Sequence, residues 1–183
     1  MTDGTADTLG LIQASRLYAP DPARARTTHA GSADAFEALL KRSREQPEAF
    51  WADVARELEW MRPWDAVMEG GFPHFKYFVG GIGNPAVNLL DRHLAEGADN
   101  RLALIWEGED QQTRFFTYRM LAVEVSKFGN VLRTLGVGKG DAVAIFTPNL
   151  SEAIVAVLAC FRIGALFNTV FSGFSARSLR DRL

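Results

Sequence analysis

The stretch that decides the fold is AVAIFTPNLSEAIVAVLACFRIGALFNTVF, residues 142–171. Two short apolar runs with β-branched residues, 142–147 and 165–171, flank a longer apolar segment that ends at Gly164. Short runs of this kind predict buried strands, and the longer segment predicts a helix. A strand, a helix and a second strand in this order predict a parallel pair joined by a right-handed crossover. The predicted fold class is therefore α/β.

The residues just before this unit predict a hairpin and two helices. Two strand-like runs, 101–110 and 113–118, are separated by a polar turn. Thr117 is placed to cap a helix that ends at Gly136, and Asn84 is placed to cap a shorter helix. The apolar stripe of the longer helix consists of Leu121, Val125, Phe128, Leu132 and Leu135. The buried side of the shorter helix consists of Val87, Leu90 and Leu94.

The first 83 residues predict two different regions. Residues 1–31 are rich in Thr, Ala, Asp and Arg with few large apolar side chains, which predicts a flexible arm. Residues 32–83 predict a leader, in which Ser32 caps one helix and Pro47 opens a second that runs to Trp60. The stripe of the second helix consists of Phe50, Val54, Leu58 and Met61. The rest of the leader mixes aromatic residues, glycines and prolines without a single period, which predicts an irregular segment.

Charge and composition argue against several classes of protein. The formal net charge of −2 argues against a binder of nucleic acid or anionic membranes, because such proteins carry a basic excess. The single cysteine excludes an internal disulfide. No metal-ligand spacing exists among His29, His74, His93 and Cys160. There is neither a signal peptide nor an apolar run of membrane-spanning length, so we expect a soluble cytoplasmic protein.

Three motifs that suggest chemistry have simpler interpretations. GVGKGD, residues 136–141, resembles a phosphate-binding loop, but it follows a helix and precedes a strand, the reverse of such a loop. Cys160 lies in an apolar helix, where a packed thiol is favoured over a nucleophile. His93 lies two residues from Asp91, and side chains two apart on a helix point in different directions. We predict a turn, a buried thiol and a surface or capping histidine.

The stretch FSGFS, residues 171–175, is placed where a ligand can bind. It follows a predicted strand, at the edge where open α/β sheets bind ligands. Gly173 permits close approach of the backbone, and Ser175 is placed to cap a further helix. Positive charge suited to phosphates follows at Arg177, Arg180 and Arg182. The alternative is a tight turn with a solvated basic face.

Three segments carry a resemblance to a known family: NPAVNLLDRHL (residues 84–94), LALIWEGE (102–109) and the run from FTYRM to SGFS (116–175). Their order and spacing closely resemble the amino-terminal part of acetyl- and propionyl-CoA synthetases, in the adenylate-forming acyl-CoA synthetase superfamily. The resemblance extends from Phe50 to Leu183. It implies that the leader is followed, over residues 84–183, by the first crossover units of the family's large N-terminal domain, with an incomplete sheet.

The resemblance also implies a two-step reaction. A carboxylate attacks ATP, with Mg²⁺, to give an acyl-adenylate and pyrophosphate, and the CoA thiolate then displaces AMP. The implied CoA contacts are Phe171, Ser172 and Gly173, with Arg182 as a further basic candidate. Ser172 stands where the family's Phe-Gly-Gly-Phe-Ser pattern has glycine, which implies a narrower space beside CoA.

By the same resemblance, the family's ATP-binding and catalytic motifs lie downstream of residue 183. We therefore predict that this chain has no catalytic and no metal-binding residue, does not bind ATP in the family's manner and is inactive alone. It is predicted to be the amino-terminal fragment of a longer enzyme whose partners are a small carboxylic acid, ATP and CoA. The alternative is a stand-alone, non-catalytic binding or interaction module derived from that family. Half a sheet leaves a strand edge and helix faces uncovered, which predicts self-association.

Overall fold

A computed structural model describes residues 20–182, so most of the predicted arm lies outside the described residues. The chain divides into two compact units, Met1–Ala52 and Asp53–Leu183. The described part of the first unit contains helix α1 (Pro22–Arg26), helix α2 (Ala33–Glu45) and most of helix α3 (Pro47–Ala55). The remaining elements belong to the second unit.

The helices of the first unit begin where side chains satisfy their free amides. The Ser32 hydroxyl accepts a hydrogen bond from the Ala35 amide at 3.2 Å and so caps α2. The Asp21 carboxylate does the same for α1, accepting from the Ala23 amide at 2.8 Å. Pro47 opens α3, where its missing N–H costs no hydrogen bond. The predicted starts of both leader helices are confirmed.

Helix α3 ends earlier than the sequence predicts. It stops at Ala55, and the indole Nε1 of Trp60 folds back to donate to the Ala55 carbonyl at 2.8 Å. Leu58 and Met61, predicted on the buried stripe, are 49% and 71% exposed. The prediction of a helix to Trp60 is wrong, because the indole satisfies a carbonyl that a further helical turn would otherwise have used.

The predicted irregular segment is in fact a hairpin. Strand β1 (Ala66–Gly71) pairs with strand β2 (His74–Val79) in antiparallel register. Aromatic side chains lie on both faces of β2: Phe78 packs against two tryptophans with centroid distances of 5.4 and 5.5 Å, while Phe75 and Tyr77 stack on the other face. These mixed faces hid the alternation that normally identifies a strand.

The second unit continues with a helix that contains a wide turn. A π-helix (Val87–Asp91) runs directly into helix α4 (Arg92–Ala95). The Asn84 side chain accepts from the Ala86 amide at 2.9 Å, which confirms the predicted cap. The amide of Asn88 makes two hydrogen bonds to the backbone of Glu59: its Oδ1 accepts from the nitrogen at 2.8 Å and its Nδ2 donates to the oxygen at 2.9 Å.

The predicted hairpin and long helix follow. Strand β3 (Leu102–Glu107) pairs antiparallel with strand β4 (Thr113–Thr117), and helix α5 (Tyr118–Thr134) begins where the Thr117 hydroxyl accepts from the Met120 amide at 3.2 Å. Leu135 is the exception to the predicted stripe, since its side chain is 73% exposed.

The strand–helix–strand order and the parallel pairing are confirmed. The strands predicted to be buried are exposed on one face, because within residues 20–182 no further layer covers it: Phe146 is 41% and Leu166 is 61% exposed. Strand β5 (Ala142–Thr147) and strand β6 (Leu166–Phe171) pair in parallel, joined by helix α6 (Ser151–Ile163). Gly164 ends α6 at φ 76°, a backbone conformation that favours glycine. Helix α7 (Ala176–Arg180) follows β6 and is capped by Ser175, as predicted. The architecture is α/β, and each sheet in residues 20–182 has two strands.

The core lies mainly between helices α5 and α6. Val125 of α5 and Cys160 of α6 are fully buried, and Leu90 of the π-helix packs beside them. The other buried members of this core are Phe116, Leu121, Leu132, Leu158, Ala159, Ile163 and Ala165. This core fixes the direction of β5 and β6, so that their carboxyl ends meet at one edge of the sheet.

Candidate functional site

The candidate site lies at the carboxyl end of the parallel strand pair. Thr147 at the end of β5 is in register with Phe171 at the end of β6. The loops that follow these two strands therefore begin side by side. Open α/β sheets bind ligands at this edge.

The loop after β6 is compact and aromatic. The Phe171 ring packs so closely on Gly173 that a Cβ added there would lie 2.6 Å from the ring carbon Cε1. The Phe174 amide donates to the Phe171 carbonyl at 3.0 Å, which closes a turn, and the two rings meet edge to face with centroids 5.7 Å apart. Their side chains remain 64% and 43% exposed. A side chain at Gly173 would therefore require the exposed Phe171 ring to move.

Arg182 lies next to this loop through an aromatic contact that the sequence did not indicate. Its guanidinium carbon is 5.2 Å from the centroid of the Phe174 ring. Its carbonyl accepts a hydrogen bond from the Asn168 side chain at 3.2 Å, so the end of the described chain is held on β6. The structure therefore brings Phe171, Gly173 and Arg182 to one edge, with Ser172 half-buried between the first two.

This arrangement offers binding surface rather than acid–base chemistry. Two exposed ring faces can stack on a planar group, and the guanidinium can approach an anion. No group of three metal-ligating side chains occurs in residues 20–182.

The loop after β5 is held by the β3–β4 hairpin, a feature that sequence reasoning missed. The Trp106 indole donates to the Asn149 carbonyl at 2.7 Å. Arg114 donates to the Glu152 carboxylate at 2.6 Å and lies over the Trp106 and Phe116 rings at 5.9 and 5.3 Å. An aromatic residue and an arginine on neighbouring strands, facing each other at Trp106 and Arg114, were the available signal.

Glu152 has its charged form stabilised in this arrangement. The hydrogen bond from Arg114 is the largest cause, and the Glu152 backbone amide and the Ser151 hydroxyl add to it. Together they lower the pKa of the Glu152 carboxyl below its usual 4.5. A hydrogen bond from Arg119 likewise lowers the pKa of Asp99.

A second polar contact fixes the start of α4 against α6. Arg162 binds the Asp91 carboxylate through two nitrogens at 2.8 and 3.1 Å, and its carbonyl accepts from Asn84 at 3.1 Å. Asp91 is thereby directed away from His93, whose ring lies 4.4 Å from that of Tyr118. The different directions predicted for the Asp91 and His93 side chains are confirmed, although His93 packs on Tyr118 and is only 25% exposed.

The other two motifs, GVGKGD and Cys160, are a turn and a buried thiol, as predicted. GVGKGD forms the turn between α5 and β5, in which the Asp141 side chain accepts from the Gly138 amide at 2.8 Å. Cys160 is buried, and burial raises the pKa of its thiol, which disfavours the reactive thiolate. Across residues 20–182, no helix is both long enough and apolar enough to cross a bilayer.

Comparison with known proteins identifies the family. Residues 90–183 match the sequence model described as AMP-binding enzyme, which accounts for more than half of the chain. The chain belongs to the AMP-binding enzyme family. Within that family, residues 36–89 match the model described as acetyl-coenzyme A synthetase N-terminus. This agrees with the resemblance found in the sequence.

Individual relatives agree with this family assignment. The acetyl-coenzyme A synthetase of Deinococcus radiodurans is 46% identical over 148 residues, covering 81% of this chain and 23% of that protein. The acetyl-coenzyme A synthetase of Gemmatimonas aurantiaca is 43% identical over 173 residues, covering 94% and 26%. The solved acetoacetyl-CoA synthetase from Streptomyces lividans matches with a TM-score of 0.75 and 28% identity, covering 88% of this chain and 25% of that one. The chain thus spans about a quarter of the length of these relatives.

Proposed function

We propose that this chain is the amino-terminal part of an AMP-forming short-chain acyl-CoA synthetase. The observation that carries the proposal is the pair of adjoining family matches, residues 36–89 and 90–183, from an acetyl-coenzyme A synthetase N-terminus into an AMP-binding enzyme. The reaction would join a small carboxylic acid to CoA through an acyl-adenylate, with ATP and Mg²⁺. The leader of residues 32–83 would precede the first part of the large domain, residues 84–183.

Within this enzyme, the edge at the end of β6 would bind the nucleotide portion of CoA. The exposed Phe171 and Phe174 rings suit a purine, and Arg182 beside them suits a phosphate. The Ser172 side chain would narrow the passage at the loop. When bound, CoA supplies the thiol that accepts the acyl group; the residues of this chain would orient its nucleotide end.

The isolated chain would be inactive, because the described residues offer neither a metal cluster nor an acid–base pair at the edge. A stand-alone interaction module remains the second candidate. Against it stands the outer edge of β5, which pairs with no strand in residues 20–182, because natural proteins protect such edges. Self-association of the isolated chain and a cytoplasmic location stay predictions.

The proposal is tested with a chimera. This chain is joined to the portion of the Deinococcus radiodurans enzyme that follows the matched region, and acetate-dependent AMP formation is measured. We expect turnover from the chimera and no pyrophosphate release from the isolated chain. A well-folded chimera without turnover, or turnover by the isolated chain, would contradict the proposal.

The CoA contact is tested in the same chimera. Arg182→Ala should raise the KM for CoA about tenfold, because a charge-assisted contact is lost, and leave the KM for ATP unchanged. Ser172→Gly should lower the KM for CoA by widening the loop. Arg133→Ala, at the far end of α5, is the matched control. Equal effects of the Arg182 and Arg133 changes would exclude Arg182 from the CoA site.

A further inference from the structure

The β3–β4 hairpin holds the loop that follows β5 at two points. This loop, residues 148–150, is called the β5 loop. The Trp106 indole donates to the Asn149 carbonyl at 2.7 Å, in the middle of the loop. Arg114 donates to the Glu152 carboxylate at 2.6 Å, in the first turn of α6. The hairpin therefore fixes both the centre of the β5 loop and the helix into which it leads.

The two donors form one cross-strand pair on the hairpin. Trp106 of β3 lies opposite Arg114 of β4, and the guanidinium carbon of Arg114 is 5.9 Å from the centroid of the Trp106 ring. The indole also packs closely on Gly108, where an added Cβ would lie 2.7 Å from the indole carbon Cη2. These contacts limit the directions in which the indole N–H can point. The pair thus presents both donors to the β5 loop in a fixed orientation.

The β5 loop receives little support from helix capping. Leu150 lies at the N-cap of α6, a position that Ser, Thr, Asp or Asn usually occupies, and its side chain makes no capping hydrogen bond. Within the loop, the Leu150 amide donates to the Pro148 carbonyl at 2.8 Å. The two hydrogen bonds from the hairpin therefore restrain a loop that its own N-cap residue does not.

The β5 loop borders the candidate site. Thr147 and Phe171 are in register at the ends of β5 and β6, and neighbouring strands lie about 4.8 Å apart. Open α/β sheets bind ligands in the crevice outside the carboxyl ends of their strands. A nucleotide is wider than one strand spacing, so a nucleotide on the loop after β6 also meets the β5 loop.

We infer that Trp106 and Arg114 are positioning residues for the nucleotide portion of CoA. They act through the β5 loop, which they hold as the second wall of the site, and not through contact with CoA itself. The inference rests on the proposed function, because it takes the edge at the end of β6 to bind CoA. It adds two residues that lie outside the loop after β6 and far from it in the chain.

CoA binding by the chimera with the Deinococcus radiodurans enzyme tests this inference, with the Kd measured by calorimetry. Trp106→Phe keeps an aromatic ring and removes the N–H donor, whereas Arg114→Met keeps the aliphatic stem and removes the charge. Each should raise the Kd for CoA about fivefold, because a hydrogen bond that orders the β5 loop is lost. An unchanged Kd for CoA in both variants overturns the inference.

A second readout separates positioning from a general loss of stability. Acetate-dependent exchange of pyrophosphate into ATP needs no CoA, so the KM for ATP in this exchange should change by less than about twofold. A substitution that only reduced the amount of folded chimera would lower the rates with and without CoA equally and leave the Kd for CoA unchanged. That pattern would contradict a positioning role.

The Arg114 contact is also tested from the side of α6. Glu152→Gln breaks the same ion pair and should raise the Kd for CoA as much as Arg114→Met does. The double variant should bind CoA no more weakly than either single variant, because both remove one contact. Arg114→Lys keeps the charge and should recover part of the affinity. Effects that multiply in the double variant would show that the two residues do not act through one contact.

Arg119→Met is the matched control. Arg119 is paired with Asp99 at the other end of the same hairpin, away from the β5 loop. Breaking this pair should change the Kd for CoA by less than about twofold, and an effect equal to that of Arg114→Met overturns the inference. Circular dichroism checks that each variant folds. If Trp106→Phe fails to fold, Glu152→Gln decides, because its side chain is 58% exposed and the substitution keeps its size.

The outcomes separate this inference from the proposed function. An active chimera whose Kd for CoA is the same in all variants overturns the inference and leaves the proposed function intact. A chimera without turnover that binds CoA, and binds it more weakly in the Trp106 and Arg114 variants, supports the inference and contradicts the proposed activity. A well-folded chimera that binds no CoA contradicts both.

Discussion

Helix α5 has two apolar sides, one buried and one about half exposed. On one side Leu121, Val125 and Leu132 are buried against α6 and the hairpin. On the other side Met120, Val123 and Val131 are about half exposed and line a cavity of about 1090 Å³ between α5, α6 and β5, here called the edge groove. A helix at the surface of a domain needs one apolar stripe, whereas a helix with two belongs between layers. Within residues 20–182, the structure therefore buries only one of the two apolar sides of α5.

The largest expected effect is a difference between two valines of α5. Val125→Ala removes a fully buried side chain and should lower the free energy of unfolding of the isolated chain by about 1.5–3 kcal/mol. Val123→Ala removes the same atoms from the groove side and should change it by no more than about 0.5 kcal/mol. Urea unfolding measures both.

The same two substitutions, Val123→Ala and Val125→Ala, are also measured in the chimera. If the added portion of the chimera covers the groove, the cost of Val123→Ala should rise toward that of Val125→Ala. Equal costs in the isolated chain would mean that the two sides of α5 do not differ as described.

A smaller effect distinguishes the partly buried ion pair between the π-helix and α6 from an exposed ion pair on the groove side of α5. Asp91→Ala leaves Arg162 without its carboxylate partner, and the Nε of Arg162 is already buried without a hydrogen bond. The expected loss is about 1–2 kcal/mol, because the pair is only partly exposed. Glu124→Ala breaks the more exposed pair with Lys127 on the groove side and should cost about 0.5 kcal/mol or less.

A double-mutant cycle gives the control for the Asp91 pair. Asp91→Ala and Arg162→Met, alone and together, should show a coupling energy larger than that between Glu124 and Lys127. A coupling near zero for the Asp91 pair would show that it does not hold α4 to α6.

The smallest expected effect is on the pH dependence of stability that comes from the Arg114–Glu152 ion pair. The pKa of Glu152 is lowered by Arg114, so its contribution to stability is fully present above the usual value of 4.5. It is lost as the pH falls through the lowered pKa of the folded state. Arg114→Met should move the pKa back toward 4.5 and flatten this part of the stability curve between about pH 3 and 5. NMR titration of the Glu152 carboxyl measures the shift directly.

Arg133→Met is the control for this titration, because Arg133 lies at the far end of α5. It should leave the Glu152 titration unchanged. A pKa for Glu152 that is the same with and without Arg114 would show that the ion pair across the rim does not form in solution.

Local signals explain what the sequence could predict. Thr117, Ser32 and Asn84 each satisfy backbone amides of the residues that follow them, so the helix starts were predictable from single residues. The β5–α6–β6 unit was predictable because short apolar runs with β-branched residues favour strands, and the longer apolar segment between them ends at a glycine. The position of Phe171 and Gly173 at the carboxyl edge followed from that unit.

Individual side-chain contacts at irregular spacings explain what the sequence could not predict. The end of α3 depends on the indole of Trp60, and the β1–β2 hairpin depends on rings that pack on both of its faces. The place of Arg182 at the site depends on the Phe174 ring and on Asn168, which are distant from it in the chain. None of these contacts produces a periodic pattern.

The side chain of Asn88 connects the π-helix to the segment that follows α3. Its side-chain amide pairs with the backbone of Glu59 through one donor and one acceptor, as a neighbouring strand would. Spontaneous deamidation would convert it to aspartate, keep the acceptor, and place a negative oxygen against the Glu59 carbonyl. Deamidation of this one side chain would thus weaken the contact between the π-helix and the segment that follows α3, leaving the donation from Arg92 to the Glu57 carbonyl at 3.1 Å.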